Sequence, residues 1–464
     1  MMRLLIECTY VYDHPQDNSG IQRVVRNVVN SLGALQGKVE FIPVILKHDR
    51  VYQVTRLGPT RNGGWRPRLQ AWLSLWQERF ARRRDRLRLY RAARERTGMF
   101  KNSPFLRGCL ALGCRSLSLC MAAPQKVLAH VSLNYVDKSR AVELQPRADD
   151  VLVLLDSSWH ADFFPVAERL KAQGIKIVSV IYDLIPMTHP QFCDEGLVRV
   201  FEQWFNWVCR TADGFIAISQ TISEQVRSEV QWRLGWDVAE QRWFDFFHLG
   251  SDLDQADPRT VVRQEVRHMC RDRSLYLMVS TIEPRKNHAY LLDAFERLWA
   301  EGSEVALCFV GKVGWKTEQL VARVREHPRL NRQLFMFNDL SDRELEYCYT
   351  HARSLVFPSY VEGFGLPLVE AMQRGLPAMA SDIPVFREIG GEVMAYFGLA
   401  EPESLARLVR QFEATGQFPA KAPLSSWQWL SWQESAQQLV NRIQQHLAEH
   451  ALPNTPVTRH ARRA

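Results

Sequence analysis

Tyr360-Val-Glu-Gly-Phe-Gly-Leu-Pro-Leu-Val-Glu370 places two carboxylates, Glu362 and Glu370, either side of a Gly-Phe-Gly turn, with seven residues between them. The preceding Ser354-Leu-Val-Phe-Pro358 predicts a short buried strand. Pro367 suits the first turn of a helix, where its missing N–H would be unpaired anyway. The stretch therefore predicts strand, turn and helix in succession. Gly363 and Gly365 allow the backbone close to a ligand, and the turn Gly363-Phe364-Gly365-Leu366 leads into free helical N–H groups suited to a phosphate. Glu370 is expected in the first helical turn and Glu362 just before the turn, both facing one cleft. Taken singly, Glu370 reads as a complement to the helix dipole and Glu362 as a solvated loop acid. Together they suit sugar and ribose hydroxyls, because a carboxylate accepts two hydrogen bonds without competing for a neighbouring anion.

Upstream, Ser280-Thr-Ile-Glu-Pro-Arg-Lys-Asn287 follows a predicted strand, Leu275 to Ser280, and opens a helix from Asn287 to Trp299. A basic pair at a helix start opposes the dipole, so Arg285 and Lys286 point to an anion held there, such as a pyrophosphate. Phe309-Val-Gly-Lys-Val-Gly314 ends another strand in glycines and makes Gly311 a candidate for nucleotide contact. Ser341 with Glu344 three residues on reads as a capping box. In the first half, Gly20 and Arg23 open a predicted helix, Gly20 to Leu32, where backbone N–H groups can approach a phosphate. Asp183 and His189 lie in Ile181-Tyr-Asp-Leu-Ile-Pro-Met-Thr-His-Pro190, beyond the strand Ile175 to Ile181.

The segment Tyr360 to Glu370, with its continuation Ala-Met-Gln-Arg-Gly-Leu-Pro377, closely resembles the donor-site motif of the retaining glycosyltransferases of family 4, which have the two-domain B fold. The resemblance is close over the second half of the chain and looser over the first. It implies an α/β fold of two facing doubly wound, Rossmann-like domains. It further implies transfer of a hexose-type, mannose-like sugar from a nucleotide diphosphate to a growing polysaccharide or lipid-linked glycan, as in bacterial surface polysaccharide assembly. The same resemblance gives Arg285 and Lys286 the leaving diphosphate, Glu362 the sugar hydroxyls and Glu370 the ribose. By the same resemblance, Gly20, Arg23 and Gly311 are expected near donor phosphate and nucleotide. Many relatives carry His-Asp-Leu where this chain has Tyr182-Asp183-Leu184, which leaves Asp183 as the polar group at that strand end. No metal or other cofactor is expected. The resemblance implies that the donor nucleotide sugar is a substrate and that the leaving phosphate itself takes the acceptor's proton.

The expected division is 1–255 for an acceptor-side domain, with a basic insertion at about 61–125, then 256–426 for the nucleotide-sugar domain. A helix over 427–450 is expected to cross back, followed by a disordered tail, 451–464. A chain of 464 residues exceeds what one core usually spans. Its strand-like runs between helices, among them Val39 to Leu46, Asp150 to Leu155 and Phe215 to Ser219, predict parallel sheets covered on both faces.

The net charge of +8 is local. Arg61 to Lys101 holds thirteen Lys/Arg against three acids, a balance of +10, which leaves the remainder near −2. Leu69, Trp72, Leu73, Trp76 and Phe80 fall at helical spacing among those arginines, the pattern of a basic amphipathic helix on an anionic inner-membrane surface. A packed helix with a solvated arginine face fits the same spacing. No nucleic-acid motif accompanies the charge, so no nucleic-acid partner is expected. Nine scattered cysteines without a CxxC pair indicate reduced thiols. The opening Met1-Met-Arg-Leu-Leu-Ile has no cleavage region and no run reaches membrane-span length, so a cytoplasmic protein, peripheral to the membrane, is expected. Two other readings of the fold are a nucleotide-sugar epimerase or phosphorylase, and a non-catalytic scaffold of a polysaccharide assembly complex.

Overall fold

The computed structural model describes residues 2–15, 20–35, 39–58, 136–157, 159, 161–252, 260–271 and 273–451, with 72, 76, 112, 113, 116 and 117. The expected basic insertion lies almost wholly outside the described residues. So do Cys109, Cys114, Cys120 and the tail beyond 451. The chain divides into two compact units, one made of 1–6, 18–41 and 147–464, the other of 7–17 and 42–146.

The larger unit contains two sheets. In the first, β1 (Met2–Glu7), β5 (Val151–Leu154), β6 (Lys176–Ile181), β7 (Gly214–Ala217) and β8 (Trp243–Phe246) are neighbours in that order. β5 to β8 pair in parallel. Arg3 on β1 donates from Nε and Nη2 to both oxygens of Asp150, at 2.7 and 2.6 Å, a buried two-point pair that sets β1 beside the start of β5. The helix Gly20–Ala34 buries Val24, Val25, Val28, Val29 and Leu32, the stripe its spacing predicts. The helix Trp432–Ala451 packs on it and on β8.

The second sheet is wholly parallel. β9 (Leu275–Val279), β10 (Ala306–Val310), β11 (Leu334–Phe337), β12 (Ser354–Phe357), β13 (Ala378–Ser381) and β14 (Ala395–Phe397) lie in the order β11-β10-β9-β12-β13-β14. Strands β9, β10, β12 and β13 are wholly or almost wholly buried, as expected where helices cover both faces. The chain runs outward from β9 to one edge, then restarts at β12 on its other side. That reversal opens a crevice at the carboxyl ends of β9 and β12, the place where open α/β sheets bind ligands.

The smaller unit departs from the parallel expectation. β2 (Val39–Lys47), most of which belongs to this unit, pairs antiparallel with β3 (Arg50–Val54), which pairs antiparallel with β4 (Ala141–Leu144). Lys47 faces Arg50 across a two-residue turn in which His48 and Asp49 have φ of 50° and 56°. Two positive φ values give a turn whose twist matches antiparallel strands. The Arg140 guanidinium lies 4.1 Å over the Tyr12 ring and donates to the Tyr12 and Leu57 carbonyls.

Candidate active site

The loops leaving β9 and β12 hold a buried cluster of charge at the crevice. After β9, Pro284–Lys286 forms one 3-10 turn, Asn287 takes a left-handed conformation at φ 59°, and the helix begins at His288. The loop is pinned from the β10 side: Ile282 N–H donates to Lys312 O and Gly314 N–H to Ile282 O, both 2.9 Å. Gly311 belongs to this anchoring, since a Cβ there would stand 1.9 Å from the Ser280 carbonyl oxygen. Its glycine is required by main-chain packing, and its φ of 148° agrees.

Within the loop, Arg285 donates from Nη1 to Glu362 at 2.8 Å and pairs through Nε with Glu283 at 2.7 Å. Lys286 donates to the other oxygen of Glu362, which also accepts from Ser359 Oγ at 2.8 Å. Ser359 is itself oriented, its carbonyl accepting from Ser381 Oγ at 2.6 Å. Burial alone would raise the Glu362 carboxyl, but Arg285 and Lys286 overcome it and hold the group at about 2. Glu362 is therefore an anion at neutral pH. Burial, with help from Arg285, depresses the Lys286 ammonium. Burial raises Glu283, opposed by Arg285. Burial and Lys286 push the His288 imidazole down to about 3, so it is neutral.

The two cations expected to hold a diphosphate thus grip the carboxylate expected to hold sugar hydroxyls. A diphosphate entering here competes with Glu362 for both.

The turn after Glu362 also meets the first sheet. A Cβ on Gly363 would lie 2.1 Å from the Tyr182 carbonyl oxygen and 3.1 Å from Asp183 Cβ, and Gly363 O accepts from Ser219 Oγ at 3.0 Å. Asp183 is brought beside the donor loop in this way. Its Oδ1 accepts from Ile185 N–H at 3.0 Å, and burial, countered by Arg285, raises its carboxyl. Tyr182 turns inward, its hydroxyl donating to Leu155 O at 2.7 Å. The Phe364 ring is 3% exposed and lies near His248 and Trp429, so it serves packing. Gly365 caps the helix Leu366–Gln373 at φ 117°, a conformation that favours glycine, with Leu366 as the first helical residue.

Glu370 is the fifth residue of that helix, beyond the first turn where it was expected, because the helix begins at Leu366 rather than at Pro367. Its side chain is 2% exposed and accepts from Arg23 Nη2 at 2.6 Å and from Tyr349 O–H at 3.0 Å. Burial chiefly, then Glu370, raises the Tyr349 phenol, which stays protonated and donates. Arg23 thus reaches a carboxylate from the helix Gly20–Ala34. Gly20, the first residue of that helix, is exposed, and among the described residues nothing lies within 4 Å of its Cβ position; Asn18 and Ser19 before it lie outside the described residues.

A second carboxylate joins the sheets further back. Glu388, on the helix Pro384–Gly390, accepts from the main-chain N–H of Gln220 and Thr221 at 2.7 and 2.9 Å, and pairs with His248 at 2.8 Å. It completes the N-terminus of the helix Gln220–Leu234, whose Ile222 N–H donates to Ser219 Oγ.

Sequence reasoning left Glu283, Ser359 and Tyr349 unassigned. Glu283 sat inside the quoted segment, and an acid directly before Pro-Arg-Lys was its available signal. Ser359 and Tyr349 carry none, because their roles arise from strands and helices meeting in space.

Residues 268–422 match the family described as Glycosyl transferases group 1, a span that includes the whole second sheet. The serotype-specific mannosyltransferase WbdA of Escherichia coli is 35% identical over 308 residues, covering 64% of this chain and 37% of that protein. The O-antigen chain mannosyltransferase B of Escherichia coli is 28% identical over 238 residues, covering 51% of this chain and 60% of that protein. This chain spans little more than a third of the length of the WbdA proteins it matches. A solved sucrose-phosphate synthase from Thermosynechococcus elongatus aligns over 97% of this chain and all of its own, with TM-score 0.54 at 16% identity, a likeness of fold. Fold and match agree: the chain has a two-sheet fold of the B type, and its residues 268–422 are similar to group 1 glycosyltransferase domains. The chain resembles the retaining glycosyltransferases of family 4, of the kind acting in bacterial surface polysaccharide assembly.

Proposed function

We propose that this chain is a retaining mannosyltransferase of surface polysaccharide assembly, taking its sugar from a nucleotide diphosphate. The observation that carries this reading is the buried cluster Glu283, Arg285, Lys286 and Glu362 at the crevice between β9 and β12, inside the matched domain. Charge develops on the leaving diphosphate as the anomeric C–O bond breaks, and two cations already fixed there stabilise it without reorganising solvent. Glu362, ionised at neutral pH, cannot act as an acid. It orients sugar hydroxyls by accepting from them, while Tyr349 and Glu370 together present an acceptor to the ribose. The acceptor hydroxyl attacks the anomeric carbon on the face the diphosphate leaves, and its proton passes to a phosphate oxygen. No protein base is then needed, which fits Tyr182 facing inward. Asp183, beside Gly363, orients the transferred sugar from the other sheet. The reaction so drawn uses no metal, and EDTA should leave it unchanged.

The acceptor is read as a polysaccharide or lipid-linked glycan. No helix among the described residues is long and apolar enough to cross a membrane. Peripheral attachment at the cytoplasmic face falls to the basic stretch between Arg61 and Lys101.

Thermal shift across GDP-, UDP-, ADP- and dTDP-sugars, with Arg285→Ala and Glu370→Ala beside wild type, tests the reading. Stabilisation by one nucleotide class, lost in both variants, supports it. Stabilisation by none favours a non-catalytic scaffold. Interconversion of the bound sugar without an acceptor would mark an epimerase instead.

A further inference from the structure

We infer that His189, Phe192, Trp315 and Tyr360 form an acceptor subsite on which a pyranose ring of the glycan stacks; this rests on the glycosyltransferase reading. Tyr360 and Trp315 are 45% and 42% exposed, and half-buried His189 and Phe192 join them. The Phe192 and Tyr360 rings lie 5.5 Å apart and within 15° of parallel, and those of His189 and Phe192 6.1 Å apart and within 8°. Singly exposed aromatics need no explanation. Here, four from three separate segments converge on one lip.

The lip is held rigid by polar contacts that leave ring surface open. Trp315 donates from Nε1 to Phe192 O at 2.8 Å, and Lys316 Nζ donates to Gln191 O and Cys193 O at 3.3 and 3.1 Å. Tyr360 N–H donates to Arg285 O at 2.9 Å, which fixes the shelf directly to the loop proposed to hold the diphosphate. Rigid aromatic rings offer large contact area at little entropic cost.

A pyranose has one face of C–H bonds and a girdle of hydroxyls. Its C–H face covers an aromatic ring through dispersion and weak C–H contacts, and its hydroxyls stay at the wet rim. Thr188, exposed and with its hydroxyl 2.9 Å from His189 Nδ1, supplies a polar group at that rim. Four rings present far less than the roughly 800 Å² per partner that a stable protein interface buries. A sugar fits the lip's size, and its place beside the donor loop is where an acceptor must lie.

The test is direct binding of an α-linked mannotriose to the full chain by saturation-transfer NMR. Wild type is compared with Trp315→Ala, Tyr360→Ala, the double variant and Tyr360→Phe, each also carried through the nucleotide-sugar panel. Binding should weaken about tenfold in either alanine variant and survive in Tyr360→Phe, with nucleotide stabilisation unchanged throughout. Equal affinity in wild type and the double variant, or no binding to wild type with or without donor nucleotide, overturns the subsite. Failure of the nucleotide panel alone would sink the transferase reading, whereas the oligosaccharide measurement reads the shelf separately.

Discussion

The loops of the second sheet and those of the first meet at one crevice with different chemistry. From the second sheet come Glu283, Arg285, Lys286, Glu362 and Glu370, ionisable side chains that are buried or nearly so and paired at short distance. The first sheet and its helices contribute mostly main-chain atoms and rings: the carbonyls of Tyr182, Gln191, Phe192 and Cys193, with the rings of Phe192 and His189. Asp183 and Arg23 are its charged contributions. Buried charges must be matched by partners, which restricts residue identity and spacing. A carbonyl can be supplied by any residue. The difference therefore separates a side built for one anionic group from a side whose lining can vary with the acceptor.

The strongest break in that comparison is Glu362→Ala. It leaves Arg285 and Lys286 buried without their shared partner, and a broken buried pair costs about 3–5 kcal/mol. The expected result is a marked fall in the unfolding midpoint of the second sheet, followed by tryptophan fluorescence in denaturant. Arg285→Ala should lower the transfer rate about 10²–10³-fold, the usual loss when one preorganised electrostatic donor is removed, measured with labelled donor. Gly363→Ala tests the contact between the sheets. The added methyl meets the Tyr182 carbonyl, and overpacking of this kind costs about 1–3 kcal/mol. Tyr349→Phe removes one hydrogen bond to buried Glu370 and should cost about 1–3 kcal/mol, seen as weaker nucleotide-sugar binding with little change in turnover once saturated.

Acid sharpens the comparison more gently. Glu362 sits at about 2 against an ordinary 4.5, so its stabilisation is present above about 4.5 and is lost as pH falls toward 2. His288, held neutral near 3 against 6.5, binds a proton only when unfolded over that interval, so it too removes stability as pH falls. Asp183 and Glu283, whose carboxyls burial raises, act in the opposite sense. In Glu362→Gln the midpoint should decline less between pH 4.5 and 2 than in wild type; equal slopes would remove Glu362 from this account.

Much of the second sheet was legible because its signals are local. Ser354–Phe357 is the short buried strand expected, and Ser341 with Glu344 forms the capping box expected from their spacing. The donor-side segments could be found because glycine, proline and charge at a strand end each have few physical uses. The turn at His48-Asp49 was not legible, since it lacks the Asn-Gly or Asp-Gly pair that usually marks two positive φ values. The grip of Arg285 and Lys286 on Glu362, and of Arg23 on Glu370, joins residues 77, 76 and 347 positions apart. Nothing in a local pattern reports such partners. The shelf of Phe192 and Tyr360 was hidden for the same reason, and because an exposed aromatic looks the same in sequence as a packed one.

Glu388 gives the pair of sheets a property that neither has alone. A carboxylate from one side completes the end of a helix on the other, so the two halves are not interchangeable parts. A chimera that joined this first half to the second half of a relative would fold with the Gln220 and Thr221 amides exposed to solvent unless the incoming half supplied an acid at the same place. Exchanging donor specificity between such proteins by cutting between the sheets therefore requires Glu388 to travel with Ser219, Thr221 and His248 as one set.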